Sequence, residues 1–369
     1  MEEMRSKWLI GLVGTFFFLL CVLVWVKPDK EYSVSERRLL KQMPELSAES
    51  VLSGRFMSSF ETYSLDQFPF RDLFRSFKAM TLLQLDNNDL YVVEDRIDGE
   101  NVKVIGSMDY PLSEDSLQYA GKRFRNVYDL YLKDSNCQIY LSIVPDKNYF
   151  YAKNNDYLAM DYEALVDIML NETDYMNYID IFPHLSAEDY YRTDIHWRQE
   201  NIADVADYLL KEMGQDVKSQ YDTIEVDEDF YGVYYGQAAL PIEPDAMKYL
   251  TNDVIEQLKV YDYQNNKEIP VYDTEKLKSD DLYELYVGGP ISLATIDNPA
   301  CDNGKHLIIF RDSFGSSIAP MLAQGYSKTT LIDIRYILPN LLGEYVDFRD
   351  ADVLFLYSTP VLNNSEILK

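Results

Sequence analysis

The sequence predicts an α/β protein built on a mainly parallel sheet with helices on both sides. Segments with the helical spacing of apolar residues, such as 162–170 and 200–213, alternate with short apolar runs of strand length. These runs are found at 138–144, 176–182, 306–310, 329–334 and 352–358. Buried strands that alternate with helices are typical of parallel sheets covered on both faces.

The composition fits a large folded domain and argues against one class of ligand. The chain has 369 residues, of which 47% are hydrophobic, and it contains 31 tyrosines. Its formal net charge is −28. Because a chain this acidic repels phosphate backbones, we expect no nucleic-acid partner.

The N-terminal segment predicts one transmembrane helix. Residues 8–26, WLIGLVGTFFFLLCVLVWV, carry no charge and are long enough, at about 1.5 Å per residue, to cross a hydrocarbon core of about 30 Å. A cleaved signal peptide is the alternative, but its apolar region would be shorter and would end at small residues. We therefore expect an uncleaved signal anchor, with residues 1–7 in the cytoplasm.

The rest of the chain is expected outside the bacterial cell membrane, as a single-pass protein with an extracellular C-terminal domain. Residues 27–47 predict a polar stalk, and residues 48–369 predict the domain itself. Within it, residues 215–300 are rich in Asp, Tyr and Asn and follow the alternation less well. This stretch predicts antiparallel hairpins or an insertion.

Aromatic residues near the start of the domain predict two short helices with a bend at Pro69. One interpretation is an aromatic surface that binds a partner. Packing into the core is the favoured interpretation for aromatic residues at this spacing. The apolar residues concerned are Phe56, Phe60, Phe74, Phe77 and Leu82.

The segment HLIIFRDSFGSSIAPML, residues 306–322, predicts a strand, a sharp turn and a helix with Ser313 in the turn. A side chain there lies above the carboxyl end of a strand, where open α/β sheets place their sites. Gly315 lets the backbone approach closely, and backbone N–H groups of the first helical turn could stabilise an oxyanion. The alternative is that Asp312 or Ser313 simply caps the helix.

A second signal is the pair Asp194 and His196 in YYRTDIHWRQ, just before a predicted helix. In an extended segment residues i and i+2 point the same way, so Asp194 could accept a hydrogen bond from one ring nitrogen of His196. The other nitrogen could then take a proton from a serine. Each signal alone has a common structural explanation, but together they predict a triad of Ser313, His196 and Asp194.

We expect no metal and no other cofactor. Asp-x-His also begins some binuclear metal sites, but these need further histidines, and only His184 and His306 are available. Neither lies in a ligand motif. Cys137 and Cys301 flank predicted strands, so a disulfide could form, although two unpaired thiols are favoured.

Several motifs resemble those of bacterial DHHW-motif proteins, which are similar to the SGNH/GDSL-type domains of alginate O-acetyltransferases. Ile195 stands where the second motif histidine would be, which is the plain departure from the family pattern. The matching segments are SLDQFPFRD (64–72), IVPDKNYFY (143–151), TDIHW (193–197), DFYGVYYG (229–236), RDSFGSSIAPML (311–322) and LIDIRYI (331–337).

The resemblance implies an SGNH-hydrolase-like fold with Ser313 as nucleophile, His196 as base and Asp194 as the orienting acid. Lys147 and Arg335 match recurrent family positions and are expected near the site, with ordinary surface ion pairs as the alternative. In the related acetyltransferases a membrane-bound O-acyltransferase supplies acetyl groups across the membrane. An anchored extracellular domain then passes them to a polysaccharide hydroxyl.

The sequence therefore predicts a membrane-anchored O-acetyltransferase that modifies a cell-envelope or secreted polysaccharide through an acyl-Ser313 intermediate. One alternative is a carbohydrate esterase with the same triad, in which water is the final acceptor. The other is a non-catalytic polysaccharide-binding or assembly protein.

Overall fold

The structure is a computed structural model, which describes residues 2–33, 36, 38–84, 89–97, 99–238, 240–279 and 281–369. The chain divides into two compact units. One contains residues 1–88 with 235–241, and the other contains residues 89–234 with 242–369. The boundaries predicted at residues 7, 26 and 47 stay a prediction.

The helices of the described residues include one long N-terminal helix and shorter helices throughout both units. They are α1 (Glu2–Val26), α2 (Ala48–Leu52), α3 (Arg55–Asp66), α4 (Arg71–Gln84), α5 (Glu114–Val127), α6 (Lys147–Asn155), α7 (Tyr162–Glu172), α8 (Ala203–Glu212), α9 (Val233–Ala238), α10 (Phe314–Leu322) and α11 (Thr359–Asn363).

The strands form one large sheet and three pairs within the same described residues. They are β1 (Tyr32–Ser33), β2 (Arg38–Leu39), β3 (Leu90–Ile97), β4 (Glu100–Ser107), β5 (Gln138–Val144), β6 (Asn177–Tyr178), β7 (Asp222–Phe230), β8 (Asp245–Thr251), β9 (Lys259–Asp262), β10 (Lys267–Ile269), β11 (Leu293–Asp297), β12 (His306–Arg311), β13 (Lys328–Ile332) and β14 (Asp352–Ser358).

The large sheet of the second unit has the strand order β10-β9-β11-β13-β12-β14-β5-β6. Strands β13, β12, β14, β5 and β6 are parallel to one another, and β11, β9 and β10 extend the sheet in antiparallel fashion. The predicted fold class, a mainly parallel sheet between helices, is confirmed. The stretch 215–300 supplies the antiparallel strands and also the separate antiparallel pair β7–β8.

Alternate side chains of β12 enter two different cores, which is the period-two pattern of a strand buried on both faces. Leu307 and Ile309 pack with residues of α8 and α10 on one face. Ile308 and Phe310 pack with residues of α5 and α7 on the other face. This arrangement places the carboxyl end of β12 in the middle of the sheet, between β13 and β14.

One predicted strand is largely absent. Residues 176–182 were expected to form a full strand, but only Asn177–Tyr178 pairs with β5. The Ile179 N–H still donates to the Leu141 carbonyl of β5 at 2.8 Å, and Ile179 and Ile181 are both buried in the core. The chain turns into a short 3₁₀ helix at Phe182–His184, where Pro183 lacks the N–H that a continued strand would need.

The cysteines form no disulfide within the described residues. Cys137 and Cys301 are half-buried free thiols, which is the arrangement that the sequence favours. The Cys137 thiol contacts the carbonyl oxygen of Phe348 at 2.6 Å.

The first unit contains the apolar N-terminal helix, and the segment Lys7–Val24 is long and apolar enough to cross a membrane. Helices α3 and α4 meet near Pro69, as predicted. The prediction that their aromatic residues pack into a core is wrong for α4, because Phe74 and Phe77 are 42% and 66% exposed. Helix α4 instead turns Arg71 and Arg75 inward, toward Glu36.

The half-buried His306 is expected to make the stability of the fold sensitive to acid. Its Nε2 lies 2.8 Å from the Thr330 hydroxyl. Burial, with the nearby charge of Lys328, lowers its pKa to about 4, although Asp347 and Asp297 act in the opposite direction. In the unfolded chain this histidine has about its usual pKa of 6.5, so between about pH 6.5 and pH 4 the unfolded state binds a proton that the folded state does not. The stability of the folded state therefore falls as the pH drops through this range.

We expect His306→Gln to weaken this loss of stability between those two pH values. Denaturant unfolding of the detergent-solubilised chain at a series of pH values measures it. His184→Gln is the matched control, because His184 is exposed. Identical pH slopes in the wild type and in the His306 variant would contradict the assignment.

Candidate active site

Ser313 stands between β12 and α10 and already has helical backbone angles, with φ −63° and ψ −27°. Its side chain caps no backbone N–H among the described residues. Asp312 does so instead, because its Oδ1 accepts a hydrogen bond from the Phe314 N–H at 3.0 Å. The capping alternative therefore holds for Asp312, whereas the Ser313 hydroxyl is directed to another partner.

The other oxygen of Asp312 fixes the turn to the neighbouring strand. Asp312 Oδ2 accepts hydrogen bonds from the N–H and the hydroxyl of Ser358, both at 2.7 Å. Ser358 ends β14, so the fully buried Asp312 joins the carboxyl ends of two adjacent parallel strands. Ser313 is thereby held at a rigid point of the sheet edge.

Gly315 is required by close packing, because a Cβ atom built there would lie 2.5 Å from Arg311 Cβ. The backbone N–H groups of the first turn of α10 are not available to stabilise an oxyanion, contrary to the expectation from the sequence. The N–H of Phe314 is bound by the Asp312 carboxylate, and the N–H groups of Gly315 and Ser316 donate to the carbonyls of Asp312 and Ser313. These three donors are committed to the turn itself.

His196 joins Ser313 to Asp194 in one chain of hydrogen bonds. His196 Nε2 lies 2.7 Å from Ser313 Oγ, and His196 Nδ1 lies 2.6 Å from Asp194 Oδ1. A carboxylate can only accept, so the proton between His196 and Asp194 belongs to Nδ1. Nε2 then presents its lone pair to the Ser313 hydroxyl.

Asp194 is itself held by backbone donors and is almost completely buried. Its Oδ1 accepts the His196 N–H at 3.0 Å, and its Oδ2 accepts the Val233 N–H at 2.7 Å. The loop that contains Val233 can approach Asp194 this closely because residue 232 is glycine; a Cβ there would lie 2.2 Å from Asp194 Cβ. These two backbone donors fix the orientation of the Asp194 carboxylate.

The backbone between Tyr190 and Trp197 is a bend rather than the extended segment that the sequence suggested. These two residues form an isolated antiparallel bridge, and the Tyr191 N–H donates to the His196 carbonyl at 3.1 Å. The side chains of Asp194 and His196 meet because the bend brings them together, not because strand alternation does.

Asp245, which sequence reasoning missed, shapes this bend. It accepts hydrogen bonds from the N–H groups of Arg192 and Thr193 at 2.8 and 2.9 Å and from the Thr193 hydroxyl at 2.6 Å. The Thr193 hydroxyl in turn accepts the Gly232 N–H at 3.0 Å. One buried carboxylate thus orders both loops that hold Asp194.

Lys147 is buried, so the alternative that it forms an ordinary surface ion pair is wrong. Its Nζ donates to the carbonyls of Ile105 and Tyr191 at 2.5 and 2.8 Å. Burial lowers the pKa of Lys147 to about 7, while the charges of Asp245 and Asp194 oppose that shift. Lys147 therefore supports the bend from behind through hydrogen bonds to the backbone, and its Nζ lies 4.9 Å from the centroid of the Tyr234 ring.

Tyr283 is a second residue that the sequence gave no signal for, since it is one of many tyrosines in 215–300. Its ring stacks on the His196 imidazole with centroids 3.8 Å apart and an interplanar angle of 9°. Its hydroxyl bonds to Ser317 Oγ at 2.8 Å. The Trp197 indole N–H donates to the same oxygen, also at 2.8 Å.

A pocket of about 290 Å³ opens beside Ser313 and His196. Arg311, Arg335 and Tyr283 contribute to its wall. The Arg335 guanidinium binds the buried Asp333 carboxylate in a bidentate manner, with Nε–Oδ1 at 2.9 Å and Nη2–Oδ2 at 2.7 Å. Arg335 is thus near Ser313, as expected, and Asp333 fixes its orientation.

The part of the chain that the structure describes contains no group of three or more His, Cys, Asp and Glu side chains that could hold a metal ion. The arrangement that it does contain, a hydroxyl, an imidazole and a carboxylate in sequence, is the one that activates serine in acyl-transfer enzymes. The catalytic roles of these residues stay a prediction.

Comparison with known proteins agrees with the fold and the motifs. The fold is an SGNH-like α/β fold. Residues 171–332 match the family model of DHHW proteins, which confirms the resemblance seen in the sequence motifs. No curated protein matches the chain.

Two solved structures share this fold. A DHHW family protein from Eubacterium siraeum is 20% identical and has a TM-score of 0.59, with 76% of this chain and 97% of that chain covered. Bacillus cereus PatB1 carrying a sulfonyl adduct is 16% identical and has a TM-score of 0.58, with 74% and 97% covered. At these identities the likeness concerns the fold.

The role of Asp245 predicts a loss of stability in Asp245→Ala. The variant leaves buried donors of Arg192 and Thr193 without their acceptor, which costs about 1–3 kcal/mol. Denaturant unfolding measures this loss, and amide exchange at 192–193 should accelerate in the same variant. Asp222→Ala is the control, because Asp222 is exposed on β7. Equal stability of the two variants would contradict the role given to Asp245.

Proposed function

We propose that this protein is a serine acyltransferase that passes an acetyl group to polysaccharide hydroxyls, with Ser313 as the nucleophile. The observation that carries the proposal is the continuous chain from Ser313 Oγ through His196 to Asp194, with 2.7 and 2.6 Å between the paired atoms. The motif resemblance to DHHW proteins and alginate O-acetyltransferases supports acetyl as the transferred group.

In the first half-reaction Ser313 Oγ attacks the carbonyl carbon of the acetyl donor while His196 Nε2 takes the hydroxyl proton. Asp194 stabilises the imidazolium that forms and holds the ring in the Nδ1–H tautomer. When the tetrahedral intermediate collapses, the bond to the donor's oxygen breaks and His196 returns the proton to that oxygen. The product is acetyl-Ser313 and a free donor alcohol.

In the second half-reaction an acceptor hydroxyl attacks acetyl-Ser313. His196 takes the proton of this hydroxyl and gives it back to Ser313 Oγ as the ester bond breaks. If water attacks instead, the products are acetate and free Ser313. The chemistry of transfer and of hydrolysis is therefore the same, and the group that enters the pocket decides between them.

The pocket wall supports this chemistry. Arg311 and Arg335 provide positive charge beside Ser313, where an oxyanion forms when the carbonyl carbon of the donor is attacked; the committed N–H groups of the first helical turn cannot fill this role. Asp281 and Glu284 also line the pocket, and their carboxylates suit an acceptor with several hydroxyl donors. Tyr283 covers one face of His196 and shields it from water.

We extend the proposal to location and donor. Helix α1, which contains the apolar segment Lys7–Val24, anchors the chain in the bacterial cell membrane, with the C-terminal unit outside the cell. A membrane-bound O-acyltransferase supplies the acetyl group, as in the related acetyltransferases that the motifs resemble. The acceptor is a cell-envelope or secreted polysaccharide.

Substitution of the three residues tests the proposal. Ser313→Ala removes the nucleophile, His196→Ala removes the proton carrier, and Asp194→Asn favours the wrong tautomer. We expect each change to lower acetyl transfer by at least about 10³-fold, and the Ser313 and His196 double variant to be little worse than either single variant. The assay follows acetyl from p-nitrophenyl acetate to an oligosaccharide acceptor.

Thermal melts of the same variants separate chemistry from folding. Ser135→Ala is the control, because this hydroxyl makes local backbone hydrogen bonds, donating to the Leu132 carbonyl at 2.7 Å and accepting from the Cys137 N–H at 3.4 Å. Triad variants that melt early but still transfer acetyl would contradict the proposal. Acetyl that always appears as acetate, and on no glycan, would replace the transferase with an esterase.

A further inference from the structure

Helix α4 presents an apolar stripe to solvent. Phe74 and Phe77 are aromatic members of this stripe, and both side chains are exposed. Leu73, Phe74, Phe77 and Met80 lie on one face of the helix, and Phe70 directly precedes its first residue, Arg71. The aromatic stripe comprises Phe70 (60% exposed), Leu73 (64%), Phe74 (42%), Phe77 (66%) and Met80 (40%).

The opposite face of the same helix points its charges inward. Arg71 binds Glu36 through two hydrogen bonds, and Arg75 also lies within ion-pair distance of Glu36. The side chains of Arg71 and Arg75 are only 21% and 19% exposed. A helix on the surface of a soluble domain normally has its aromatic side chains inside and its arginines outside. Here the pattern is reversed, which indicates that the aromatic stripe faces an apolar environment.

The aromatic stripe lies at the end of the apolar helix α1. Lys30, just beyond α1, forms two hydrogen bonds with Gln67. The backbone N–H of Lys30 donates to Gln67 Oε1 at 2.9 Å, and Gln67 Nε2 donates to the Lys30 carbonyl at 2.8 Å. The Tyr63 hydroxyl donates to Asp29 at 3.1 Å. Leu23 of α1 and Phe70 of the stripe line one cavity of about 390 Å³.

An ion pair between the buried Asp66 and the partly exposed Arg38 joins β2 to the end of α3. The Arg38 guanidinium binds Asp66, the last residue of α3, at 2.6 and 2.9 Å, and the Lys41 N–H donates to the same carboxylate at 2.9 Å. The hydrogen bonds from Arg38 lower the pKa of Asp66 to about 2, against the effect of burial. The direction of α4 relative to the end of α1 is therefore fixed by specific bonds within the first unit.

We propose that the aromatic stripe of α4 inserts into the outer surface of the same bilayer that α1 spans, so that α4 lies flat at the boundary between headgroups and acyl chains. Aromatic and aliphatic side chains on one helical face suit this position, and the exposed Lys78 beside them suits anionic headgroups. This inference rests on the proposed anchoring by α1 but not on the proposed chemistry.

The size of the stripe favours lipid over a second copy of the chain. Five half-exposed apolar side chains offer about 500 Å² of surface, since a large aromatic residue buries roughly 150–250 Å² when fully covered. A stable dimer needs about 800 Å² from each partner. Lipid has no such threshold when the helix is already tethered beside the membrane.

Spin labelling of the full chain in vesicles of phosphatidylethanolamine and phosphatidylglycerol tests the inference. The three native cysteines are first replaced by serine. Single labels are then introduced by Phe77→Cys in the stripe and by Asp72→Cys on another face of the same helix, where the side chain is 54% exposed. Collisions with oxygen and with a water-soluble nickel chelate report the depth of each label.

We expect the label at position 77 to be accessible to oxygen, protected from the chelate, and about 5–10 Å below the headgroups, the depth of an interfacial helix. The label at position 72 should be accessible to the chelate. Equal exposure of both labels to the chelate overturns the inference. Protection of position 77 from both reagents also overturns it, because another protein surface, and not lipid, then covers the stripe.

A third label, introduced by Phe16→Cys in α1, separates this inference from the anchoring on which it rests. If position 16 is deep in the acyl chains and position 77 is in water, α1 spans the membrane and only the inference about α4 fails. If position 16 is itself in water, the anchoring fails and the inference fails with it. Acetyl transfer by the same labelled chains reports separately on the proposed chemistry.

Discussion

The hydroxyl of Ser317 holds together two segments that must meet for the site to exist. Ser313 and His196 are 117 residues apart in the chain, yet their side-chain atoms lie at 2.7 Å. Ser317 is one helical turn after Ser313 on α10, so its side chain points in a similar direction. Its hydroxyl bonds to the indole of Trp197, the residue after His196, and to the Tyr283 hydroxyl, both at 2.8 Å. The candidate nucleophile directly precedes a short helix, and that helix carries the contact that positions its base.

Buried ionisable side chains fix the positions of the other segments around the candidate site. Asp312 joins two strand ends, Asp245 orders the bend that carries Asp194, Lys147 binds the carbonyls behind that bend, and Asp333 orients Arg335. An unpaired buried charge is costly, so each of these groups fixes its partners strongly. The chain as a whole has a net charge of −28, but the geometry of the candidate site depends on these few buried groups inside the second unit.

The sequence predicts the fold and the three central site residues because each can be recognised from a short, local sequence pattern. Alternating apolar runs and helices define the sheet, and a serine in a strand–turn–helix segment has a defined position at its edge. Asp245, Tyr283 and Ser317 could not be assigned, because their roles depend on contacts with residues far away in the chain. The spacing of aromatic residues in α4 predicts one apolar face, but spacing alone does not say whether that face meets protein or lipid.

The most direct test of the central claim is to find the acetyl group on the enzyme. The full chain is mixed with p-nitrophenyl acetate, quenched rapidly, digested and analysed by mass spectrometry, with and without an oligosaccharide acceptor. The account predicts one acetyl group on Ser313, its absence in His196→Ala, and its movement to the oligosaccharide when the acceptor is added. An unmodified Ser313 in the active wild-type chain, or an acetylated Ser313 that forms equally well without His196, would contradict it.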